Sequence, residues 1–128
     1  MQRISSLILV SALLAGSAAA DVRRAAIPRA LLGTWAESAE QCAAKDKSGV
    51  TIEADKYGDA KGSCVVRWVV ETAGSQGVNY AVHSLCTSAS DPSKTQLVNI
   101  VIRPQNDGRA VMGRSFEDLK TYQRCPAQ

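Results

Sequence analysis

Hydrophobic and polar side chains alternate in several short stretches of the chain, which is the pattern of β-strands with one buried face. This alternation and runs of β-branched and aromatic residues predict six strands, at residues 31–36, 50–55, 64–71, 78–86, 96–103 and 110–116. Turn-forming residues separate the strands, and helical periodicity is missing from the sequence after the N-terminal apolar run. We therefore predict an all-β domain: a small antiparallel meander of about six to eight strands, closed as a barrel or folded as a sandwich.

The N-terminus has a different pattern, that of a cleavable secretory signal peptide. Arg3 gives it a positive start, residues 4–16 form an apolar run, and residues 18–20 are all Ala. The apolar run is short for a membrane span, so cleavage is favoured over retention as an anchor. We expect cleavage before Asp21, and no Cys stands there to be lipidated. The compact arrangement is typical of bacterial export signals, so the expected location is the periplasm or the medium.

The predicted organisation is a signal peptide at 1–20, a flexible N-terminal arm at 21–30 and a single β domain at 31–128. The whole chain has a net charge of +3, with acidic and basic residues interleaved. This charge is too small and too scattered for nucleic acid or a membrane surface to be the partner. We expect a monomer with no nucleic-acid partner and no membrane anchor after signal cleavage.

All four cysteines lie beyond the signal peptide, at Cys42, Cys64, Cys86 and Cys125. An even number of cysteines in a small exported chain indicates disulfides, and their spacing does not match that of a structural zinc site. Four cysteines allow three pairings, and the count alone does not choose among them.

The register of the central hairpin favours one of these pairings. If Thr72 faces Val78 across a five-residue loop, Cys64 faces Cys86. Both cysteines then lie on the more hydrophobic face, where Val66, Trp68 and Val70 oppose Ser84, Val82 and Tyr80. We therefore predict the bridges Cys64–Cys86 and Cys42–Cys125. A one-residue bulge between the cysteines and the turn is the alternative that would upset this register.

The sequence Gly33-Thr34-Trp35 opens the first predicted strand. A Gly-x-Trp at this point resembles the calycin superfamily of lipocalin-like barrels. The resemblance implies that Trp35 plugs one end of a barrel and that a basic side chain, Arg114 or Arg124, lies over the indole. The alternative interpretation is a core Trp preceded by a turn Gly.

Among calycin-like proteins, the chain resembles small periplasmic inhibitors of metalloproteases in its size, export signal and early Gly-x-Trp. It differs from them in having four cysteines and six predicted strands where that family has eight. The resemblance implies that the arm enters a protease cleft, which makes Asp21, Val22, Arg23 and Arg24 the candidate partner-binding residues.

Candidate catalytic and metal-binding residues are few. His83 adjoins Ser84, but neighbouring side chains in a strand point to opposite faces, so the two are not expected to act as base and nucleophile. Glu53, Asp55 and Asp59 could hold calcium, but their spacing does not match an EF-hand loop, and a solvated turn is favoured. We predict no catalytic residue, no metal and no cofactor.

These observations predict a non-enzymatic binding protein of the periplasm or medium, such as an inhibitor of an exported hydrolase, a protease or a lysozyme. A rigid, disulfide-bonded domain suits this role because a preorganised binder loses less entropy on binding. The alternatives are a small-ligand carrier and a structural envelope protein. A small barrel is expected to be filled by its own side chains, which argues against the carrier.

Overall fold

The computed structural model describes residues 21–44 and 48–126, and the predicted signal peptide lies outside this part of the chain. The secondary structure is almost entirely strand, with a turn of 3-10 helix at Arg29–Leu31 and a short helix α1 at Ala39–Ala43. In chain order the strands are β1 (Val22–Arg24), β2 (Gly33–Ala36), β3 (Val50–Ile52), β4 (Lys56–Asp59), β5 (Gly62–Gly74), β6 (Gly77–Ser88), β7 (Thr95–Pro104), β8 (Ala110–Gly113) and β9 (Lys120–Arg124).

Strands β2 to β9 form a closed antiparallel barrel of eight strands. Each strand pairs with the next along the chain, and β9 returns to β2, where Trp35 lies opposite Arg124. Strand β1 lies outside this barrel and pairs with the second half of β5. The predicted all-β meander is confirmed, and the closing pair β9–β2 makes it a barrel and not a sandwich.

Two barrel strands lie where the sequence predicted a turn and a tail. Strand β4 occupies the predicted turn, and β9 lies in the segment after the last predicted strand. Each is short and carries a single inward aromatic residue, Tyr57 in β4 and Tyr122 in β9, so neither shows an extended alternation. Their hydrogen bonds to neighbours on both sides make them strands, and that pairing is a tertiary property.

In the long hairpin β5–β6, the pairs farthest from the turn have the predicted register. The pairs nearer the turn do not. Cys64 lies opposite Cys86, and Val66 lies opposite Ser84, as predicted. An irregularity at Arg67 then shifts the register by one residue. Because side chains alternate between faces along a strand, this extra residue exchanges the two faces of β5 beyond it.

Trp68 therefore lies on the outer face of the barrel, and its prediction as an inward core residue is wrong. It is paired with His83 and only partly buried. Val69 takes the inward position instead, where it is fully buried opposite Val82.

The predicted pairing of Thr72 with Val78 is wrong, because Thr72 lies opposite Asn79 and the loop is shorter than expected. The bulge that the sequence left as an alternative is present at Arg67, and it offsets this one-residue difference, so the cysteine pair is aligned.

One end of the barrel is closed by the segment that precedes β2. Ile27 and Leu31 are buried there and join Trp35 in the hydrophobic core. The indole Nε1 of Trp35 donates a hydrogen bond to the Leu31 carbonyl at 3.0 Å, so the buried polar atom is satisfied. The same core contains inward side chains of the barrel strands: Ile52, Val66, Val69, Val82, Ile102 and Ala110. Together these residues form the floor of the barrel.

Arg124 covers the closed end from outside the core. Its guanidinium carbon lies 4.4 Å from the centroid of the Trp35 ring. Its Nη2 donates to the Ala30 carbonyl at 2.5 Å, and its Nη1 donates to the Leu32 carbonyl. Of the two arginines considered from the sequence, Arg124 and not Arg114 takes this position.

Gly33 allows Arg124 to approach. Its φ of +129° is a conformation that side chains with a Cβ rarely adopt. A Cβ built there would also lie 2.8 Å from Arg124 Nη1. The Gly-x-Trp of the sequence is therefore explained by the backbone turn and the contact above the indole.

The arm at residues 21–30, which the sequence analysis expected to be flexible, contacts the barrel in this structure. Residues 22–24 form β1, which is hydrogen-bonded along β5. Arg24 Nη2 forms an ion pair with Glu71 Oε2 at 2.6 Å, and Thr72 Oγ1 donates to Asp21 Oδ1 at 2.9 Å. The arm is held because β4 ends early on β5, which leaves the second half of β5 open for another strand on that side.

Both predicted disulfides are present. Cys64–Cys86 joins directly opposite residues of β5 and β6, with 4.0 Å between their Cα atoms. Cys42–Cys125 ties helix α1 to the residue that follows β9. Two disulfides are consistent with an oxidising compartment. Among the described residues, no helix has the length and apolar character needed to cross a membrane.

Candidate functional site

The inner face of the barrel changes from buried to partly exposed along its length. On β7, Ile102 is completely buried at the closed end, whereas Ile100 and Val98 face the same interior and are only partly buried. On β3, Ile52 is buried, and Val50, nearer the other end, is not. Inward apolar side chains that remain exposed must contact solvent inside the barrel. The barrel is therefore a cup with a packed floor and an open mouth.

The mouth of the cup contains a cavity of about 950 Å³. The mouth is thus open to solvent, whereas the floor of the barrel is filled by its own side chains. Only six residues of the chain are aromatic, and two of them, Trp68 and Phe116, point outside. The apolar wall includes the Cys64–Cys86 disulfide and Val50, Tyr57, Val98, Ile100, Met112 and Tyr122.

Tyr57 stands at the base of this cavity. Its hydroxyl lies 3.9 Å from Cys86 Sγ. Burial raises the pKa of Tyr57. The nearby Ser84 hydroxyl and the positive charge of Arg114 act in the opposite direction and lower this pKa. Ser84 Oγ is itself buried without a hydrogen bond of normal geometry. The phenol is thus a neutral polar group in an apolar wall at physiological pH.

Tyr122 also lines the cavity, and it is closer to acidic residues than Tyr57 is. Burial raises its pKa, and the negative charges of Glu37, Asp59 and Asp118 raise it further. This phenol also stays protonated at neutral pH, so it remains a hydrogen-bond donor.

The rim of the cavity is charged. The residues that line it include Asp59, Lys61, Lys94, Arg114, Asp118 and Lys120. Lys94 lies 3.8 Å from Asp91, and Lys120 lies 3.8 Å from Glu37. Lys61 and Arg114 form no ion pair with any residue in the described part of the chain. Asp59 and Asp118 form no ion pair within the same part of the chain either, so the rim presents unpaired charges of both signs above an apolar interior.

The neighbours His83 and Ser84 point to opposite faces, as predicted. Ser84 is buried inside the barrel. His83 is outside, with its ring stacked on Trp68 at a centroid distance of 4.6 Å. The barrel wall separates the two side chains, so they do not form a base and nucleophile pair.

The three acidic residues considered for calcium do not share a contact partner. Glu53 Oε2 is 3.3 Å from Lys56 Nζ, and Asp59 Oδ1 accepts the Lys61 backbone N–H at 2.8 Å. Asp55 is exposed. Within residues 21–44 and 48–126, no group of three or more potential ligands is arranged to hold a metal ion.

The predicted partner-binding arm is largely occupied by contacts with the barrel. Arg23 lies over the Trp68 ring at 4.8 Å, and Asp21 and Arg24 bind β5 side chains. Val22 is the exception, with 48% of its surface exposed. The arm does not protrude as a free segment.

The sequence analysis did not predict that the residues at the mouth lie together. The loops that carry them follow every second strand, with described residues at 37–44, 48–49, 60–61, 89–94 and 114–119, and an up-and-down barrel brings these loops to one end. This alternation of loops between the two ends could have located the mouth from the sequence. It can be used only when the number of strands is known. With β4 and β9 missed, the loops could not be assigned to an end.

Comparison of the chain with protein-family models, with curated proteins and with solved structures found no match. The fold and the cup are therefore the basis on which the function is interpreted.

Proposed function

We propose that this is a non-enzymatic binding protein that holds a small amphipathic molecule in the mouth of its barrel. The observation that carries the proposal is the set of partly exposed apolar side chains around a cavity of about 950 Å³. A cavity of this size is in the range of sites for small ligands. Covering Val98 and Ile100 with an apolar ligand removes them from water, which favours binding. A calycin-like ancestry, suggested by Gly33 and Trp35, fits the same role.

We expect the ligand to carry an anionic group. Arg114 lines the cavity without an ion pair among the described residues, and its positive charge acts on the Tyr57 phenol at the base. An arginine binds carboxylate, sulfate or phosphate oxygens through two parallel hydrogen bonds. We therefore expect the apolar part of the ligand to lie against Ile100 and its anionic end to lie near Arg114.

The walls of the cup suit a preformed site. The Cys64–Cys86 bridge joins β5 and β6 where both strands line the cavity. A wall that is already rigid loses little entropy when it binds. Export to the periplasm or medium is part of this proposal, since it rests on the N-terminal segment and on the two disulfides.

Titration with the fluorescent probe 1-anilinonaphthalene-8-sulfonate, which combines apolar rings with a sulfonate, tests the proposal. We expect saturable binding of one probe per chain. Ile100→Trp should abolish it by filling the cup, while Leu97→Trp, on the outer face of the same strand, should leave it unchanged. Equal binding by wild type and Ile100→Trp would rule out the cup as the site.

A second test concerns the anionic end. Arg114→Glu should weaken probe binding about ten-fold, because it replaces attraction by repulsion at the rim. Arg109→Glu makes the same charge change at the closed end, where Arg109 pairs with Asp107, and should have no effect. If both variants bind alike, the charged rim plays no part.

Inhibition of an exported hydrolase is a second candidate, favoured by one observation. Phe116 is 64% exposed on the loop between β8 and β9, so an apolar side chain is available to enter a partner's cleft. Assays of secreted proteases and lysozyme with wild type and Phe116→Ala test this role. Inhibition by the wild type that is lost in the variant would support it, and no inhibition of any of these enzymes would exclude it.

A further inference from the structure

The outer face of β5, β6 and β7 carries a row of aliphatic side chains, of which the two outer ones are exposed and the middle one is partly exposed. Val65 lies opposite Leu85, and Leu85 lies opposite Leu97, so the three stand side by side on neighbouring strands. Val65 is 59% exposed and Leu97 is 76% exposed. Single exposed apolar residues are ordinary on a protein surface, but three in register form a continuous patch.

An aromatic pair extends this row towards the closed end. Because of the bulge at Arg67, Trp68 and His83 lie outside the barrel and stack with an interplanar angle of 15°. Arg23 lies over the indole from the side of β1. We call the combined surface the outer patch and define it by Arg23, Val65, Trp68, His83, Leu85 and Leu97.

Two exposed arginines lie at the outer patch. Arg23 is exposed within it, and Arg67 is exposed at its edge. Neither forms an ion pair with any residue in the part of the chain that the structure describes. Lys56, which lies opposite Val65 on β4, has its own partner in Glu53. The patch is therefore apolar with unpaired arginines.

We propose that the outer patch is a docking surface for an acidic partner protein. Its composition matches the centre of protein interfaces, which are rich in aromatic residues and Arg and poor in Lys, Glu and Asp. A negative partner would pair with Arg23 and Arg67 while covering Leu97 and Val65. A second copy of the chain would bring arginines towards arginines, so self-association is disfavoured. The outer patch faces away from the cup and does not depend on the proposed ligand.

Site-specific crosslinking in cells of the source organism tests this proposal. The photoreactive residue benzoylphenylalanine is placed at Leu97, and a control chain carries it at Thr51, on the outer face of β3. We expect one protein adduct that forms from Leu97 and not from Thr51. The crosslinked protein, identified by mass spectrometry, should have an acidic isoelectric point.

The purified partner then tests which residues hold it. Leu97→Asp and Arg67→Glu should each weaken binding at least about ten-fold, since each places a carboxylate against the acidic partner, while Arg109→Glu should have no effect. Both residues are exposed, and unchanged circular dichroism of the variants verifies their folding. The proposal is overturned by the lack of a Leu97-specific adduct, by an adduct of two copies of this chain, or by a partner that is insensitive to Arg67→Glu. Binding of the wild type, lost in Leu97→Asp, to vesicles of phosphatidylglycerol and phosphatidylethanolamine would overturn it in favour of a membrane.

Discussion

The guanidinium of Arg124 lies over the indole of Trp35, with 4.4 Å between its carbon and the ring centroid. This contact joins the last strand of the barrel to the first. The same guanidinium donates hydrogen bonds to the carbonyls of Ala30 and Leu32. It holds the closing segment against the end of the barrel that the hydrophobic core fills.

Removal of this arginine should destabilise the closed end. Arg124→Ala loses the cation–π contact and two charge-assisted hydrogen bonds, so we expect a loss of about 2 kcal/mol in the free energy of unfolding. Arg124→Lys keeps the charge but cannot reach both carbonyls, and should fall between wild type and Arg124→Ala. Urea unfolding measures this, with the exposed Arg109→Ala as control. Equal losses for Arg124→Ala and Arg109→Ala would contradict the closing role.

The two disulfides should contribute unequally to stability. The Cys42–Cys125 bridge spans 83 residues and Cys64–Cys86 spans 22. In the chain-entropy model the longer loop stabilises by about 4.5 kcal/mol and the shorter by about 3.5 kcal/mol. We expect the Cys42→Ser, Cys125→Ser double variant to unfold at lower guanidinium concentration than the Cys64→Ser, Cys86→Ser variant. The reverse order would show that native contacts of the inner bridge outweigh the loop lengths.

Truncation along β7 should reveal where the floor of the cup ends. Ile102→Ala removes methylene groups from a completely buried position and should cost about 3 kcal/mol. Ile100→Ala makes the same change two residues away on the same face, beside the cavity, and should cost about 1 kcal/mol, because less buried area is lost. Urea unfolding of the two variants compares them directly. Similar costs would mean that Ile100 also lies in a closed core.

Alkaline pH should destabilise the fold through its tyrosines. Burial is the largest cause that raises the pKa of Tyr57, Tyr80 and Tyr122 above 10.0. Below the unfolded pKa the phenols are neutral in both states, and their stabilising contribution is complete. As pH rises above it, the unfolded chain releases these protons first, so stability falls until the folded pKa values are passed. Absorbance at 295 nm should show the native protein titrating at higher pH than the urea-unfolded chain.

Tyr57→Phe separates the contribution of the most buried phenol. The variant keeps the ring but cannot ionise, so its free energy of unfolding should fall less between about pH 10 and 12 than that of the wild type. An unchanged slope would assign the alkaline loss to the other two tyrosines.

The docked arm should resist proteolysis. Trypsin is expected to cut slowly after Arg24 in the folded protein, because β1 is paired with β5. Glu71→Gln removes the ion pair with Arg24 and should speed this cut about three-fold, in line with a partly exposed ion pair worth about 0.5–1 kcal/mol. Glu117→Gln, on an exposed loop, is the control. Rapid cutting of the wild type would show instead that the arm is free.

Local pattern was enough for several features of the fold. The alternation in residues 50–55 and 96–103 predicts strands that are present in β3 and β7. The strand predictions succeed because they depend on side chains close together in sequence. Both predicted bridges are also present, but the register behind them was counted from Thr72 opposite Val78, and the cysteines align because the bulge at Arg67 offsets the one-residue error at the turn.

The outward position of Trp68 could not be predicted from local sequence patterns. One extra residue at Arg67 moves it from the core to the surface, and nothing in the alternation of this valine-rich strand marks the bulge. The same shift creates the stack with His83 that the outer patch contains.

The sequence by itself determined an all-β chain with two disulfides and placed Trp35 in a core. Only the tertiary structure decided that eight strands close, that β1 docks on β5, and that the interior near Val98 and Ile100 stays open. The physical reason is that closure and cavity volume depend on how all strands pair and how many large side chains face inward. Those are properties of the assembled barrel, to which each residue contributes through neighbours far away in the chain.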